Sequence, residues 1–226
     1  MAKKNEDRAK IWFLLDRSGS MASVAEDVIG GFNYFLAEQA AQAGECRMTV
    51  VQFDSEDPFE VIAAGKEPAD VPELNDSVYQ PRGLTPLYDA IGRLIKRADD
   101  RIARRSKAEK PAEDQLVVVF TDGLENNSHR YDRPEVFELA KKRQDDGWTF
   151  VFMGANQDSY ATGDGLGFDR GSTQNFRGDG MGTRTSFESV NLALADYRTS
   201  NYEEKQRRKA DFFDGRKEAE VDDLNR

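Results

Sequence analysis

Three oxygen-bearing side chains stand at alternate positions directly after an apolar run at residues 11–15. They are Asp16, Ser18 and Ser20. Side chains at alternate positions of an extended segment project to the same side, so these three can converge on one point. One carboxylate and two hydroxyls suit a small hard cation such as Mg²⁺ or Mn²⁺, which prefers oxygen ligands. The spacing therefore predicts a metal site at the end of a strand.

Two further residues of suitable chemistry stand at the boundaries of predicted elements. Thr85 precedes a predicted helix, and we expect it to cap that helix, with Pro86 at the first helical position. Asp122 follows a second apolar run, at residues 116–120. If the strands before Asp16 and Asp122 are neighbours, their backbones lie about 4.8 Å apart. Two carboxylates that close repel each other unless a cation lies between them, so Asp122 is expected to complete the site.

Apolar runs alternate with helical patterns along the chain. Strands are predicted to begin at Ile11, Arg47, Phe59, Leu116 and Trp148, with a weaker sixth strand within 171–176. Helices are predicted over 22–42, 86–105, 133–146, 158–166 and 186–197. Strands that alternate with helices predict an α/β fold with a doubly wound, mostly parallel six-stranded sheet and helices on both faces. Only a short turn separates the second and third strands, so the third is predicted to be an antiparallel edge strand.

Composition limits the classes of function. The chain has 226 residues and a formal net charge of −10, so we expect no general affinity for nucleic acid or anionic membranes. No run approaches the roughly 18 apolar residues that span a membrane. The charged start of the chain is not a secretory signal, which predicts a cytoplasmic protein. A lone cysteine, Cys46, excludes an intramolecular disulfide and is expected to be a core thiol in a reducing compartment.

The domain organisation is predicted to be simple. Residues 1–9 form an N-terminal extension, residues 10–200 form one domain, and residues 201–226 form a charged tail. Positive and negative charges nearly balance in the tail, for which we expect a frayed helix or disorder. The glycine-rich stretch at 178–182 is expected to be a flexible loop before the last helix.

The order of the oxygen-bearing residues resembles a known motif. Asp16-Arg17-Ser18-Gly19-Ser20, then Thr85, then Asp122-Gly123 is similar to the metal-ion-dependent adhesion site of von Willebrand factor type A (VWA) domains, written D-x-S-x-S … T … D-G. All five ligand positions match in order, and the similarity covers about residues 10–197. The stretch at 121–126 particularly resembles that of bacterial intracellular members.

The resemblance implies a Rossmann-like fold that binds proteins and does not catalyse a reaction. It also implies one divalent ion, Mg²⁺ or Mn²⁺ with Ca²⁺ as a further candidate. The implied ligands are Asp16, Ser18, Ser20, Thr85 and Asp122. Because the serine and threonine ligands are neutral, the ion would stay electrophilic, and an Asp or Glu carboxylate of a protein partner would fill its open position.

Two other functions stay open at this point: a metal-dependent phosphoester hydrolase, and a structural subunit whose metal only holds two strands together. A phosphatase of the haloacid dehalogenase type has a second aspartate where Ser18 stands, so its general acid/base is missing. A serine hydrolase needs a histidine base, and the only histidine, His129, is predicted to be an exposed loop residue. A non-enzymatic, metal-dependent protein-binding module is the favoured interpretation.

Overall fold

Six strands form one sheet in the order β3-β2-β1-β4-β5-β6 in the computed structural model, which describes residues 8–155, 158–217 and 220. The strands are β1 (Arg8–Asp16), β2 (Glu45–Phe53), β3 (Glu60–Lys66), β4 (Asp114–Thr121), β5 (Thr149–Ala155) and β6 (Thr173–Phe176). β3 runs antiparallel to β2 at one edge, and the other neighbouring strands are parallel. The predicted doubly wound α/β fold with one antiparallel edge strand is confirmed.

Helices cover both faces of the sheet. They are α1 (Ala25–Ala41), α2 (Leu87–Lys107), α3 (Arg133–Asp145), α4 (Ser159–Gly165), α5 (Gly180–Thr199) and α6 (Tyr202–Arg208). Phe13 of β1 packs with α1 and α5 on one face, whereas Trp12 and Leu14 pack with α2 and α3 on the other. The central strand is therefore buried on both sides, as its uninterrupted apolar run predicts. Among the described residues, no helix combines the length and the apolar character needed to cross a membrane.

The segment after Asn201 differs from the prediction of a frayed or disordered tail. It forms α6, and the Phe212 and Phe213 side chains that follow are fully buried in the core. The Phe213 amide donates to the Gly171 carbonyl at 3.0 Å, which ties the segment to the turn before β6. Large aromatic side chains bury enough apolar surface to order a segment that is otherwise mostly charged. Residues 1–7, 218–219 and 221–226 of the predicted extension and tail lie outside the described residues.

The glycine-rich stretch at 178–182 is also not the flexible loop that we predicted. α5 begins at Gly180, six residues before the predicted start, and the Asp179 carboxylate caps it by accepting from the Gly182 amide at 2.9 Å. A Cβ at Gly182 would lie 2.1 Å from the Arg177 carbonyl oxygen. A Cβ at Gly180 would lie 2.4 Å from a carboxylate oxygen of Asp27 in α1. These glycines therefore permit close packing at the start of a helix.

Candidate metal site

The two predicted carboxylates lie at the ends of neighbouring strands. Asp16 is the last residue of β1, and β4 pairs with β1 in parallel, with Leu15 opposite Phe120. The next residues of β4 and its following turn, Thr121 and Asp122, therefore lie beside Asp16. The carboxyl end of a parallel sheet is the usual place for a binding crevice in this fold class.

The side-chain oxygens of the five predicted ligands converge at this edge. The Ser18 and Ser20 Oγ atoms are 3.1 Å apart, and the Ser20 hydroxyl donates to Asp122 Oδ1 at 2.6 Å. A Cβ at Gly123 would lie 3.1 Å from Thr85 Oγ1, 3.5 Å from Ser20 Oγ and 3.8 Å from Asp16 Oδ2. Hydroxyl and carboxylate oxygens from two loops therefore approach one point beside Gly123, where a side chain would be crowded.

Main-chain hydrogen bonds hold the two loops that carry Ser18 and Thr85 against each other. The Gly19 amide donates to the Gly83 carbonyl at 3.1 Å, and the Arg82 amide donates to the Arg17 carbonyl at 2.9 Å. Gly83 has a φ of +64°, and a Cβ there would lie 2.4 Å from the Ser55 Oγ. A glycine is needed at this position because other residues rarely adopt a positive φ and would also clash.

Thr85 does not cap α2, which corrects one prediction. Pro86 occupies the N-cap position, and the Thr85 hydroxyl lies beside Gly123. The loop after β4 supplies the capping groups instead. Glu125 Oε2 accepts from the Tyr88 amide at 2.9 Å, and Ser128 Oγ accepts from the Asp89 amide at 3.0 Å. Because another loop satisfies these amides, the Thr85 hydroxyl is available to the site.

Asp89 anchors the same loop from the helix side. Its buried carboxylate accepts hydrogen bonds from the amides of His129, Arg130 and Tyr131 at 2.8–3.1 Å. The structure assigns it a supporting position, since the anchored loop begins with Asp122. His129 is exposed, as predicted.

Two supporting residues were missed by the sequence analysis. The Thr121 hydroxyl donates to Asp16 Oδ2 at 2.5 Å, and the Tyr79 hydroxyl donates to the Asp16 carbonyl at 2.6 Å. The strand register could have identified Thr121, because it follows the residue opposite Leu15. Tyr79 lies in a proline-rich loop without periodicity, so no local signal marks it.

Burial disfavours the charged form of both carboxylates. It raises the pKa of Asp16 to about 7. Hydrogen bonds from Thr121 and Ser18 lower this pKa, and the nearby negative charge of Asp122 raises it further. Burial likewise raises the pKa of Asp122, and the hydrogen bond from Ser20 lowers it by a smaller amount. Ser20 itself is exposed, so the site opens to solvent on that side. A cation between the two carboxylates would offset the cost of keeping both ionised.

The set of donors fits a hard divalent ion. It consists of two carboxylates and three hydroxyls, all oxygen ligands of the kind that Mg²⁺ and Mn²⁺ prefer. Within residues 8–155, 158–217 and 220, no three His, Cys, Asp or Glu side chains are grouped as a metal site. Such a group is not required here, because hydroxyls supply three of the five donors.

A family model for the von Willebrand factor type A domain matches residues 10–188. No curated protein sequence matches the chain. Three solved structures share its fold at low sequence identity. Proximal thread matrix protein 1 from the mussel byssus is 16% identical, with a TM-score of 0.61. It was solved with zinc in its metal-ion-dependent adhesion site (MIDAS) motif. The alignment covers 83% of this chain but 48% of the mussel protein, so this chain spans about half of that protein's length.

The second structure is the manganese-loaded TRAP protein of Plasmodium vivax, which is 17% identical with a TM-score of 0.58. That alignment covers 83% of this chain and 74% of TRAP. The third is the VWA domain of SpRpn10, which is 12% identical with a TM-score of 0.54. It covers 80% of this chain and 94% of the SpRpn10 domain. At these identities the similarity concerns the fold alone.

Proposed function

This chain belongs to the von Willebrand factor type A domain family, and on that premise we propose that it binds a protein partner through a divalent cation. The five proposed ligands are Asp16, Ser18, Ser20, Thr85 and Asp122, and the recognised group of the partner is an Asp or Glu carboxylate. Domains of this family mostly act as interaction modules without enzymatic activity. We propose the same for this chain.

One observation carries the proposal: the Thr85, Ser20 and Asp16 side-chain oxygens lie 3.1–3.8 Å from the position of a Cβ at Gly123, and the Ser20 hydroxyl bonds the Asp122 carboxylate. Thr121 and the Ser18 amide orient the Asp16 carboxylate by hydrogen bonds at 2.5 and 2.7 Å. A bound divalent ion would supply a positive charge that attracts an external carboxylate. The donor set supports Mg²⁺ or Mn²⁺, and Ca²⁺ stays a candidate. The manganese in TRAP and the zinc in the mussel protein support a divalent ion at such a site.

Further parts of the proposal concern the type of protein and its boundaries. The resemblance of residues 121–126 supports a bacterial intracellular VWA protein. The buried, free Cys46 supports a reducing, cytoplasmic setting, and burial raises the pKa of its thiol. We predicted the domain at residues 10–200, and we now propose that it extends from Arg8 to at least Phe213, because β1 begins at Arg8 and the buried Phe212 and Phe213 belong to the core. The family match ends earlier, at residue 188.

The structural features favour partner binding over the two alternatives. A hydrolase needs a base at the reacting centre, but His129 lies on the surface of the loop that Asp89 anchors. A purely structural ion needs a closed site, whereas Ser20 is exposed and leaves the candidate site open on one side. An open side is what an incoming carboxylate requires.

Calorimetric titration with Mn²⁺ tests the metal site. The wild-type chain is expected to bind one ion, and Ser18→Ala/Ser20→Ala is expected to weaken binding by at least about tenfold. Ser23→Ala is the matched control, because Ser23 is exposed and is not a proposed ligand. Equal affinity in the double variant and the wild type would refute the ligand assignment.

A further inference from the structure

The loops of the candidate site carry unusual apolar surface. Five large apolar side chains are exposed among the described residues, and two of them are Leu84 and Leu124. Leu84 is 48% exposed and Leu124 is 59% exposed. We refer to these two residues as the leucine pair. Single exposed apolar residues are common on protein surfaces, so their position relative to the site decides what they mean.

The leucine pair borders the proposed ligands. Leu84 directly precedes Thr85, and Leu124 is two residues after Asp122. Consecutive Cα atoms are about 3.8 Å apart, so each leucine Cα lies within about 8 Å of a proposed ligand's Cα. The two loops are also bonded to each other. The Thr85 amide donates to Asn126 Oδ1 at 2.8 Å, and the Asn126 amide donates to the Thr85 carbonyl at 3.1 Å.

The backbone fixes Leu84 at the surface before any partner binds. Its amide donates to Ser55 Oγ at 2.9 Å, next to the positive φ of Gly83. An apolar side chain on a fixed loop loses little conformational freedom when a partner covers it.

The charged side chains of these loops are already used within the chain. Arg17 and Arg82 pair with the buried Asp54 at 2.5 and 3.1 Å. Glu125 accepts from the Tyr88 amide as well as from amides of its own loop. The charges of Arg17, Arg82 and Glu125 are therefore satisfied within the chain, and the exposed residues directly beside Thr85 and Asp122 offer a partner apolar surface.

We propose that the partner presents its Asp or Glu next to an apolar side chain, and that this side chain packs on the leucine pair while the carboxylate approaches the ion. This inference rests on the proposed function and specifies the partner's chemistry. Because Leu84 and Leu124 lie on two different ligand-bearing loops, a short segment that reaches the ion also reaches one or both leucines.

Three capped heptapeptides test the inference by calorimetry with saturating Mg²⁺. The first has one aspartate flanked by leucines, the second has the same aspartate flanked by serines, and the third has asparagine between leucines. We expect the first to bind about tenfold more tightly than the second. The leucine-flanked peptide would remove from water roughly half a leucine side chain more than the serine-flanked peptide does. The asparagine peptide is expected not to bind, and chelation is expected to abolish all binding.

The double variant Leu84→Ser/Leu124→Ser is expected to remove the preference for leucine and to keep the wild-type affinity for the ion. Leu192→Ser is the matched control, because Leu192 is 45% exposed on α5 and lies outside the site loops. This control is expected to retain the full preference.

The outcomes separate the two proposals. If both aspartate peptides bind equally and only with metal, carboxylate recognition stands and the role of the leucine pair is wrong. If Leu192→Ser lowers the preference as much as the double variant, the leucine pair is also not the recognition surface. If the ion binds but no aspartate peptide does, both the inference and the proposed carboxylate recognition are wrong.

Discussion

The two ends of β1 each contain a buried ionisable side chain, Lys10 near the start and Asp16 at the end. Burial shifts both pKa values in the direction that favours the neutral side chain. It raises the pKa of Asp16 to about 7 and lowers the pKa of Lys10 to about 6, the latter with help from the Arg101 charge. The same physical cause therefore acts at both ends of one strand.

The surroundings of the two groups differ. The hydroxyls of Ser20 and Thr85 and the carboxylate of Asp122 lie near Asp16, and the exposed Ser20 opens this end to solvent. The Lys10 Nζ atom donates to Thr49 Oγ1 at 2.6 Å and lies 4.3 Å from the centre of the Trp12 ring. It has no exposure to solvent.

This difference teaches which buried charge marks a site. A perturbed pKa by itself is found at both ends, so it does not distinguish a binding site from a structural group. Convergence of further ligands and access from solvent distinguish them, and only the Asp16 end has both. Two variants test this contrast and one tests the core packing away from it, taken in order of decreasing expected effect on the free energy of unfolding.

The largest effect is expected for Phe212→Ala, which changes the packing far from the site loops. Phe212 is fully buried, with its ring 6.0 Å from that of Tyr197 and 5.3 Å from that of Phe213. Loss of a buried aromatic ring is expected to cost about 3–5 kcal/mol, measured by urea denaturation. The stabilisation by Mn²⁺ is expected to stay unchanged. Leu192→Ala is the control, because Leu192 is exposed and its loss is expected to cost no more than about 0.5 kcal/mol. An equally small loss in Phe212→Ala would contradict the packing of this segment.

The second effect concerns the metal. An ion present at about 100 times its Kd stabilises a protein by about 2.7 kcal/mol, provided that it binds only the folded state. Asp16→Ala is expected to abolish the corresponding rise in Tm with Mg²⁺ or Mn²⁺. Lys10→Met serves as the control from the opposite end of β1, and its metal response is expected to equal that of the wild type. An unchanged response in Asp16→Ala would refute the site.

The smallest effect is expected at Lys10 and depends on pH. Its pKa is about 6 in the folded chain and 10.5 as the ordinary value, so unfolding takes up a proton between these pH values. The contribution of Lys10 to stability is therefore complete above pH 10.5 and is lost as the pH falls toward 6. Lys10→Met is expected to raise the free energy of unfolding by about 1–2 kcal/mol at pH 7, because methionine loses no proton on folding, whereas Lys10 must become neutral to be buried.

The gain from Lys10→Met is expected to shrink as the pH rises toward 10. Urea denaturation of both proteins at pH 7, 8.5 and 9.5 measures this trend. A gain that does not change with pH would show that Lys10 is charged in the folded protein as well.

The sequence alone determined the fold class and the residues of the candidate site. Short apolar runs and the spacing of helical patterns are local properties, and they specify strands, helices and the antiparallel edge strand. Asp16, Ser18 and Ser20 lie within five residues, so their convergence also follows from local geometry. The burial of Cys46 and the exposure of His129 likewise agree with their local sequence contexts.

Only the tertiary structure decided how distant segments share their hydrogen bonds and their apolar surface. Thr85 looks like a helix cap in the sequence, but Glu125 and Ser128 cap α2 from about 40 residues away. Phe212 and Phe213 stand among charged residues, and only their packing against Tyr197 of α5 and the turn before β6 makes their burial favourable. Local patterns carry no information on such pairings, because the partner groups become neighbours only when the chain folds.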